Sequence, residues 1–593
     1  MSRCRRAVLA PAWGLALAFL AGPARAEVPL ASTDLRLPSE GAGGGTLAVR
    51  LTYPADVRDY RYADGAPVAI YLPGGFGAGS LAAPPQIPWQ GFVLVTFLFP
   101  GGEGADGSSD GVYDYRGDDC QRALRDVIRF AEGAALDSLG RTIDDVVPGP
   151  VHPGMLSLAP FSNGLIGLVT LDRFGAAIPF APFHVGWENP TNGQIVNGEL
   201  GVIRDDCDGS VDSDANGLPE DDGRNPWYDP STGYGATSFI VDTSRLAWDA
   251  AVPQHFTDPA GRCPPADRNG AVFHDGRTNG RLDFRPGQLG CTDFDGDGLL
   301  ETAEDYQLRA IVSFSPSCVV KTYYSPEITA ALAARGVFPG SWPPWIATPA
   351  EAGTFWDLRD ATQHWDGLFA RFPGFRAMTV FSAQDHVQSQ PDHPHVRQVM
   401  DGVTSRGGWY RLNADATYFQ EVFGSLPPGY VETPADAAVP AGMLKAHAEP
   451  KGTSSNWMSA AGHAELADRL HAGCWWSDLD VPLRPAVDPA AEVTGVAIAG
   501  DRNTVRWIAA AGAFCYDLVR GDVALLADDG SGVTLTGAAC LAEDTPETVV
   551  LDTDRPDAGQ AWYYVVRPNG LHGAYGAASN GHPRREPAEA CVR

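Results

Sequence analysis

The stretch LAPFSNGLIGL, residues 158–168, joins an apolar run to a second run with helical spacing, and Ser162 sits at the junction. Upstream, MLSLAP reads as a strand; downstream, NGLIGLVTLDRF reads as a helix. A serine so placed has two readings. It can cap the helix through its hydroxyl, or it can stand on a tight turn that exposes the hydroxyl at the end of a sheet, with a helix N-terminus aimed at the same point. Pro160-Phe161-Ser162-Asn163-Gly164 keeps a small residue two places after the serine, whereas proline stands where glycine is usual two places before it.

Outward from the junction the strand-and-helix pattern repeats. TLAVRLTYP, residues 46–54, alternates Leu47, Val49, Leu51 and Tyr53 on one face and reads as an outer strand. APVAIYLPGG and GFVLVTFLFPGG are near-continuous apolar runs ending in glycines, the pattern of neighbouring parallel strands covered on both faces. DDCQRALRDVIRFAEG places Ala123, Leu124, Val127, Ile128 and Ala131 at helical spacing between Asp118 and Gly133, which predicts a crossover helix. AAIPFAPFHVGW and FRAMTVFSAQD add strands, and AELADRLHAG adds a helix after His463. Such alternation predicts an α/β fold.

A nucleophilic serine needs oxyanion donors, a base, and a group that orients the base. Leu72-Pro73-Gly74-Gly75-Phe76-Gly77 follows an earlier strand and offers backbone N–H groups, although a plain glycine turn has the same composition. Asp385 follows the strand RAMTVFSAQD, and His463 follows SAAG, which reads as a small flexible stretch ahead of a helix. The order Ser162, Asp385, His463 is that of α/β-hydrolases, and residues from about 46 to 475 resemble a secreted member of that family with a long insertion. The resemblance implies Ser162 as nucleophile, His463 as general base and then acid, and Asp385 as the carboxylate that holds the imidazole. Gly75 or Phe76 would join Asn163 in the oxyanion hole. His386, His393, His395 and His447 are rival histidines and Asp392 a spare carboxylate. DHVQSQPDHPH also carries zinc-ligand residue types, but its prolines and irregular spacing read as a loop.

Residues 189–308 are rich in Asp, Gly, Asn and Pro and weak in aliphatic periodicity, which marks an insertion. Within it DFDGDGLLETAE fits the calcium-loop pattern D-x-[DN]-x-[DN]-G-x5-E. Asp293, Asp295 and Asp297 would offer carboxylates, Leu299 a backbone carbonyl, Glu301 a ligand directly or through water, and Glu304 a bidentate carboxylate. RLDFRPGQLGC upstream is no entering helix, so the loop stands alone. DDCDGSVDSDANGLPEDD is a second candidate, with Asp206, Asp208, Asp212, Asp214 and Asn216. It resembles the aspartate-rich repeats of thrombospondin type 3, and a solvated acidic loop is the alternative. The expected cofactor is structural calcium. Trp342, Trp345, Trp356 and Trp365 follow, either as core or as an aromatic surface.

A proline-spaced segment near residue 487 separates a C-terminal part, 488–593, whose short runs VTGVAIAG, TVRWIAA, CYDLVRGD, ETVVLDT and WYYVVRPNG predict an all-β sandwich. With Trp507, YDLVRG and YYVVRP, it resembles a fibronectin type III domain. At the other end, Arg3, Arg5 and Arg6 precede an apolar run and Ala24-Arg25-Ala26, so residues 1–26 read as a signal peptide and the hydrolase part as 27–487. The expected location is secreted or periplasmic, with no membrane span. The formal charge of −30 disfavours nucleic acid as a partner. Nine of the ten cysteines lie beyond the signal peptide, so an oxidising compartment would pair some and leave at least one over. The resulting expectation is a secreted serine hydrolase acting on small-molecule or polymeric carboxylic esters. A peptidase, a polymer depolymerase, or a non-catalytic calcium-dependent adhesion protein are the alternatives on the same parts.

Overall fold

The computed structural model describes residues 28–187, 243–283, 305–380, 394–414, 453–472 and 494–569. Short gaps fall at 83, 105, 163–165, 259–260 and within the last span, and Asn189, Gly193, Tyr418, Val422 and Arg584–Arg585 are also described. Among the described residues no helix is long and apolar enough to cross a membrane.

The main sheet is built from β1 (Leu30–Pro38), β2 (Thr46–Pro54), β3 (Ala66–Leu72), β4 (Val93–Leu98), β5 (Val151–Pro160), β6 (Phe183–Trp187), β7 (Arg376–Val380) and β8 (Trp409–Leu412). Their order is β1-β2-β4-β3-β5-β6-β7-β8. β1 pairs antiparallel with β2, and β2 with β4; every later pair on the path is parallel. This is a mixed, mostly parallel sheet like that of an α/β-hydrolase. The two apolar runs are parallel neighbours as expected, with Val68 opposite Val93. TLAVRLTYP is not the outer strand, because LASTDLRLP pairs along its free edge. That strand is hard to read because Ser32, Thr33, Asp34 and Arg36 dilute its alternation.

Alternation along β3 divides the core. Val68, Ile70 and Leu72 face one cluster with Leu156 and Leu158 of β5, joined by α1 (Asp118–Ala131) and α2 (Ile166–Phe174). Ala69 faces a second cluster with Val185, Met378 and Val380, covered by α4 (Thr453–Ala472). A further helix, α3 (Pro394–Thr404), packs near β7 and β8. The helix predicted after His463 therefore begins ten residues before it. SAAG is not a flexible lead-in: a Cβ on Gly462 would stand 2.9 Å from both Met378 Sδ and Val185 Cγ1, so glycine here lets the helix lie close on the sheet.

The segment between β6 and β7 is more regular than its composition predicts. Leu246–Phe256 pairs antiparallel with Ala266–His274, and Ile311–Phe314 with Val320–Tyr323. A register shift between Asp249 and Pro253 interrupts the periodicity that would reveal the first strand. Cys263 and Cys318 form a disulfide across this segment, Cys540 is also disulfide-bonded, and Cys120 is a buried free thiol. Trp345, Trp356 and Trp365 are buried, and the Trp356 indole N–H donates to the Tyr324 carbonyl at 2.9 Å. These tryptophans are core.

Beyond residue 493 lie small, mostly antiparallel sheets. One holds Thr494–Ile498, Thr504–Ile508 and Val549–Leu551; another holds Cys515–Asp522, Ala539–Thr545 and Trp562–Asn569. Val505 and Trp507 of the first pack with Tyr516, Leu518 and Val566 of the second.

Glu132, the residue that ends α1, carries a stability prediction. Burial pushes its carboxyl up to about 8, against a smaller pull from the Phe180 backbone N–H. The folded state then holds a proton that the unfolded chain releases near its ordinary value of 4.5. Stability therefore falls as pH rises from about 4.5 to 8, by on the order of 4 kcal/mol. Glu132→Gln should leave the melting temperature unchanged at pH 4 and raise it increasingly toward pH 8, as measured by thermal unfolding monitored by circular dichroism.

Candidate active site

Ser162 follows the C-terminal end of β5 by two residues and has a φ of 49°. A non-glycine residue in this left-handed region is strained and persists only where its surroundings impose it. Here the neighbours on both sides do so. The Phe161 N–H donates to the Leu72 carbonyl of β3 and the Ser162 N–H to the Trp187 carbonyl of β6, each at 2.8 Å. The Phe161 ring stacks on Trp187 with centroids 3.7 Å apart. The two donors that follow Pro160 are thus paired, so the proline removes at most one ladder bond at a strand end.

The loop after β3 lies against this turn. A Cβ built on Gly74 would stand 2.8 Å from Ser162 Cβ and 3.0 Å from the Phe161 carbonyl oxygen. Only a residue without a side chain lets the two backbones come this close. Gly75 takes a φ of 64°, which turns the chain directly beyond the contact. Two buried side chains hold the loop from beneath. The Tyr113 hydroxyl donates to the carbonyl of Phe76 at 2.6 Å, with Gly77 O at 2.9 Å, and Arg116 Nη2 donates to Pro73 O at 3.0 Å and Gly77 O at 3.2 Å. Neither Tyr113 nor Arg116 belongs to a recognisable motif. Arg116 and its neighbour Tyr115 both have positive φ, and Arg359 secures that turn by donating to the Tyr115 carbonyl at 2.6 Å.

Gly74→Ala should place a methyl against the serine. A displacement of about 1 Å at a nucleophile costs on the order of 10²-fold in turnover, and that is the loss expected in ester hydrolysis, together with a lower melting temperature because the Phe161 backbone must shift. Full activity in the alanine variant would show that the loop and the serine do not act together.

The proposed partners of Ser162 fare differently. Asn163 and Asp385 lie outside the described residues, as do Asp293, Asp295, Asp297, Leu299, Glu301 and Glu304 of one acidic loop and Asp206, Asp208, Asp212, Asp214 and Asn216 of the other. Gly75 and Phe76 are in the loop beside the serine, and Phe76 stacks on Phe355. His463 is inside α4 and fully buried. Its Nδ1 donates to the Ser459 carbonyl one turn back at 2.7 Å, and its ring packs against Phe92 and Phe183. Phe183 is registered with Ser157, five residues before Ser162, which sets His463 on the order of 15 Å below the serine along the strand. A base there does not reach the Ser162 hydroxyl. Burial also holds its pKa down at about 4, despite the raising effect of the bond to Ser459. These are the properties of a core histidine, and they weigh against the role of base expected for His463.

One Asp–His pair that the sequence did not reveal is structural. His364 Nδ1 bonds Asp172 Oδ2 at 2.5 Å while its Nε2 meets the Asp357 carbonyl at 2.9 Å, so both ring nitrogens are engaged. Asp172 lies near the C-terminal end of α2, away from the serine.

No protein-family profile and no curated protein matches the chain. Solved structures with partial likeness include a hypothetical protein from Pseudomonas aeruginosa, at 17% identity and TM-score 0.20, covering 30% of this chain and 49% of that one. Acetyl xylan esterase from Paenibacillus sp. R4 has 13% identity and TM-score 0.20 over 27% and 49%. Oligopeptidase B from Leishmania major has 10% identity and TM-score 0.21 over 28% and 21%. The chain thus spans half or less of the proteins it is similar to, and likeness at this level carries no argument about activity.

Proposed function

We propose that the chain is a serine hydrolase that cleaves carboxylic esters, with Ser162 as nucleophile. The observation that supports it most is the left-handed Ser162 at the end of β5 with the Gly74 loop packed against it. A helix cap has no need of that strain. In the proposed reaction Ser162 Oγ attacks the ester carbonyl carbon while a histidine takes its proton. The oxyanion is met by N–H groups of the Gly75–Phe76 loop and of Asn163, the histidine returns the proton to the leaving alcohol, and water repeats the sequence to release the acid.

For the histidine we take His447. α4 runs from the Ser162 edge of the sheet to the opposite edge, because Gly462 packs on Val185 and Met378 while His471, near the helix end, meets His152 at the start of β5. The chain must therefore enter α4 at the Ser162 edge, and His447 precedes the helix by six residues. Asp385, five residues beyond the end of β7, is the proposed orienting carboxylate. Reaction with a fluorophosphonate probe, followed by peptide mapping of the adduct, tests the proposal. Labelling at Ser162 is expected, and no adduct on folded protein would refute it.

The same reading includes a leader removed at residue 26, a C-terminal fibronectin type III-like sandwich from residue 488, and structural calcium in the two acidic loops. A cation bound only by the native state stabilises it by about 2.7 kcal/mol at a hundredfold excess over Kd. Asp295→Ala should therefore abolish part of the calcium-dependent rise in melting temperature. Equal calcium responses in variant and wild type would remove that loop from the proposal.

A further inference from the structure

At the edge of the sheet opposite Ser162, three residues far apart in sequence converge. Asp64 lies in the turn before β3, His152 is the second residue of β5, and His471 is the penultimate residue of α4. Asp64 Oδ2 is 3.4 Å from His152 Nε2, and Asp64 Oδ1 is 3.4 Å from His471 Nε2. The three ligand atoms all lie within 4.8 Å of one another.

We propose that Asp64, His152 and His471 form a site for a divalent transition metal of the zinc class. Zinc bonds to imidazole nitrogen and carboxylate oxygen are about 2.0–2.2 Å long, so the edges of a tetrahedral ligand set are roughly 3.3–3.6 Å. Asp64 turns one oxygen toward each histidine, Oδ2 toward His152 and Oδ1 toward His471, both at 3.4 Å, and rotation of this exposed carboxylate brings a single oxygen to both. The histidine-to-histidine edge closes by side-chain torsion, which partial exposure of His152 and His471 permits. Two imidazoles with one carboxylate suit zinc, whereas calcium and magnesium take oxygen ligands. Exposure on the His471 side leaves the fourth position to water.

The surroundings hold the ligands in place. Tyr62 stacks on the His471 ring at 4.1 Å with an interplanar angle of 3°, and its hydroxyl donates to Asp468 Oδ1 at 2.6 Å. Asp468 is one turn before His471 on α4 and also receives Arg61 Nε at 2.6 Å and the Tyr418 hydroxyl at 3.1 Å. Asp468 thus fixes Tyr62, whose ring sets the plane of the His471 imidazole. His152 is at the opposite end of β5 from Ser162, on the order of 20 Å away, since Val151 and Pro160 lie opposite Ala66 and Leu72. The metal is therefore a clamp that ties the end of α4 to the first turns of β3 and β5. It has no part in bond cleavage.

The test uses the full chain, freed of metal by chelator dialysis, with calcium then restored to saturation. Cobalt(II) is titrated as the probe and its visible d–d bands are followed, with zinc added in competition. Wild type should show intense four-coordinate bands, displaced by zinc, and bind one more equivalent than His152→Gln, Asp64→Asn or the more exposed His471→Gln. Zinc should raise the melting temperature of wild type and not of the variants. Equal cobalt stoichiometry in wild type and His471→Gln, or a zinc response of melting unchanged by that substitution, would overturn the proposal.

Discussion

Ser162→Ala is expected to lower kcat/KM for a soluble ester by at least about 10⁴-fold and to abolish fluorophosphonate labelling, because nothing else at the end of β5 supplies a nucleophile. Stability measurements on the same position separate the two meanings of this serine. A helix cap lost to alanine costs about 1 kcal/mol, and replacement by glycine costs only a few tenths. A strained residue behaves otherwise. With a φ of 49°, the site prefers glycine to any side chain, so Ser162→Gly should be inactive and more stable than wild type by about 1 kcal/mol. An inactive but stabilised glycine variant would identify strain held for chemistry. An active one would end the proposal.

The second large effect concerns the histidine. His447→Ala should be nearly as inactive as Ser162→Ala, whereas His463→Ala should keep most of its turnover and lose stability, because it empties a site between Phe92 and Phe183. The pH profile of kcat/KM gives an independent reading, since the free base must be neutral to accept the serine proton. An unperturbed histidine titrates near 6.5, and activity that depends on one would fall about tenfold per unit below that value. His463, held down at about 4 by burial, would still be neutral at pH 5 and would sustain full activity there. We expect the loss below 6.5. Full activity at pH 5, together with an inactive His463→Ala, would return the role to His463 and require α4 to rearrange in the working enzyme.

The α/β class, the parallel pairing of β3 with β4, the crossover helix Asp118–Ala131 and the strand-to-helix turn at Ser162 were legible in the sequence. Each rests on local periodicity or on residues adjacent in the chain. Apolar runs covered on both faces have a continuous signature, and an amphipathic helix has a period of 3.6 that no other element shares. Tertiary structure decided the rest. Gly462 looked like hinge material beside His463, yet it is glycine because α4 lies against Met378 and Val185. Composition alone cannot distinguish a small residue that permits motion from one that permits close packing. Tyr113 and Arg116 stand some forty residues from the loop they hold. Asp64, His152 and His471 meet only because the sheet order sets β3 beside β5 and α4 runs down the same face. A spacing of hundreds of residues carries no motif, since the chain between can close in many ways. The strain at Ser162 is likewise a property of its neighbours: the strand, the turn and the serine are in the sequence, but the φ of 49° exists because β3 and β6 grip the turn from both sides.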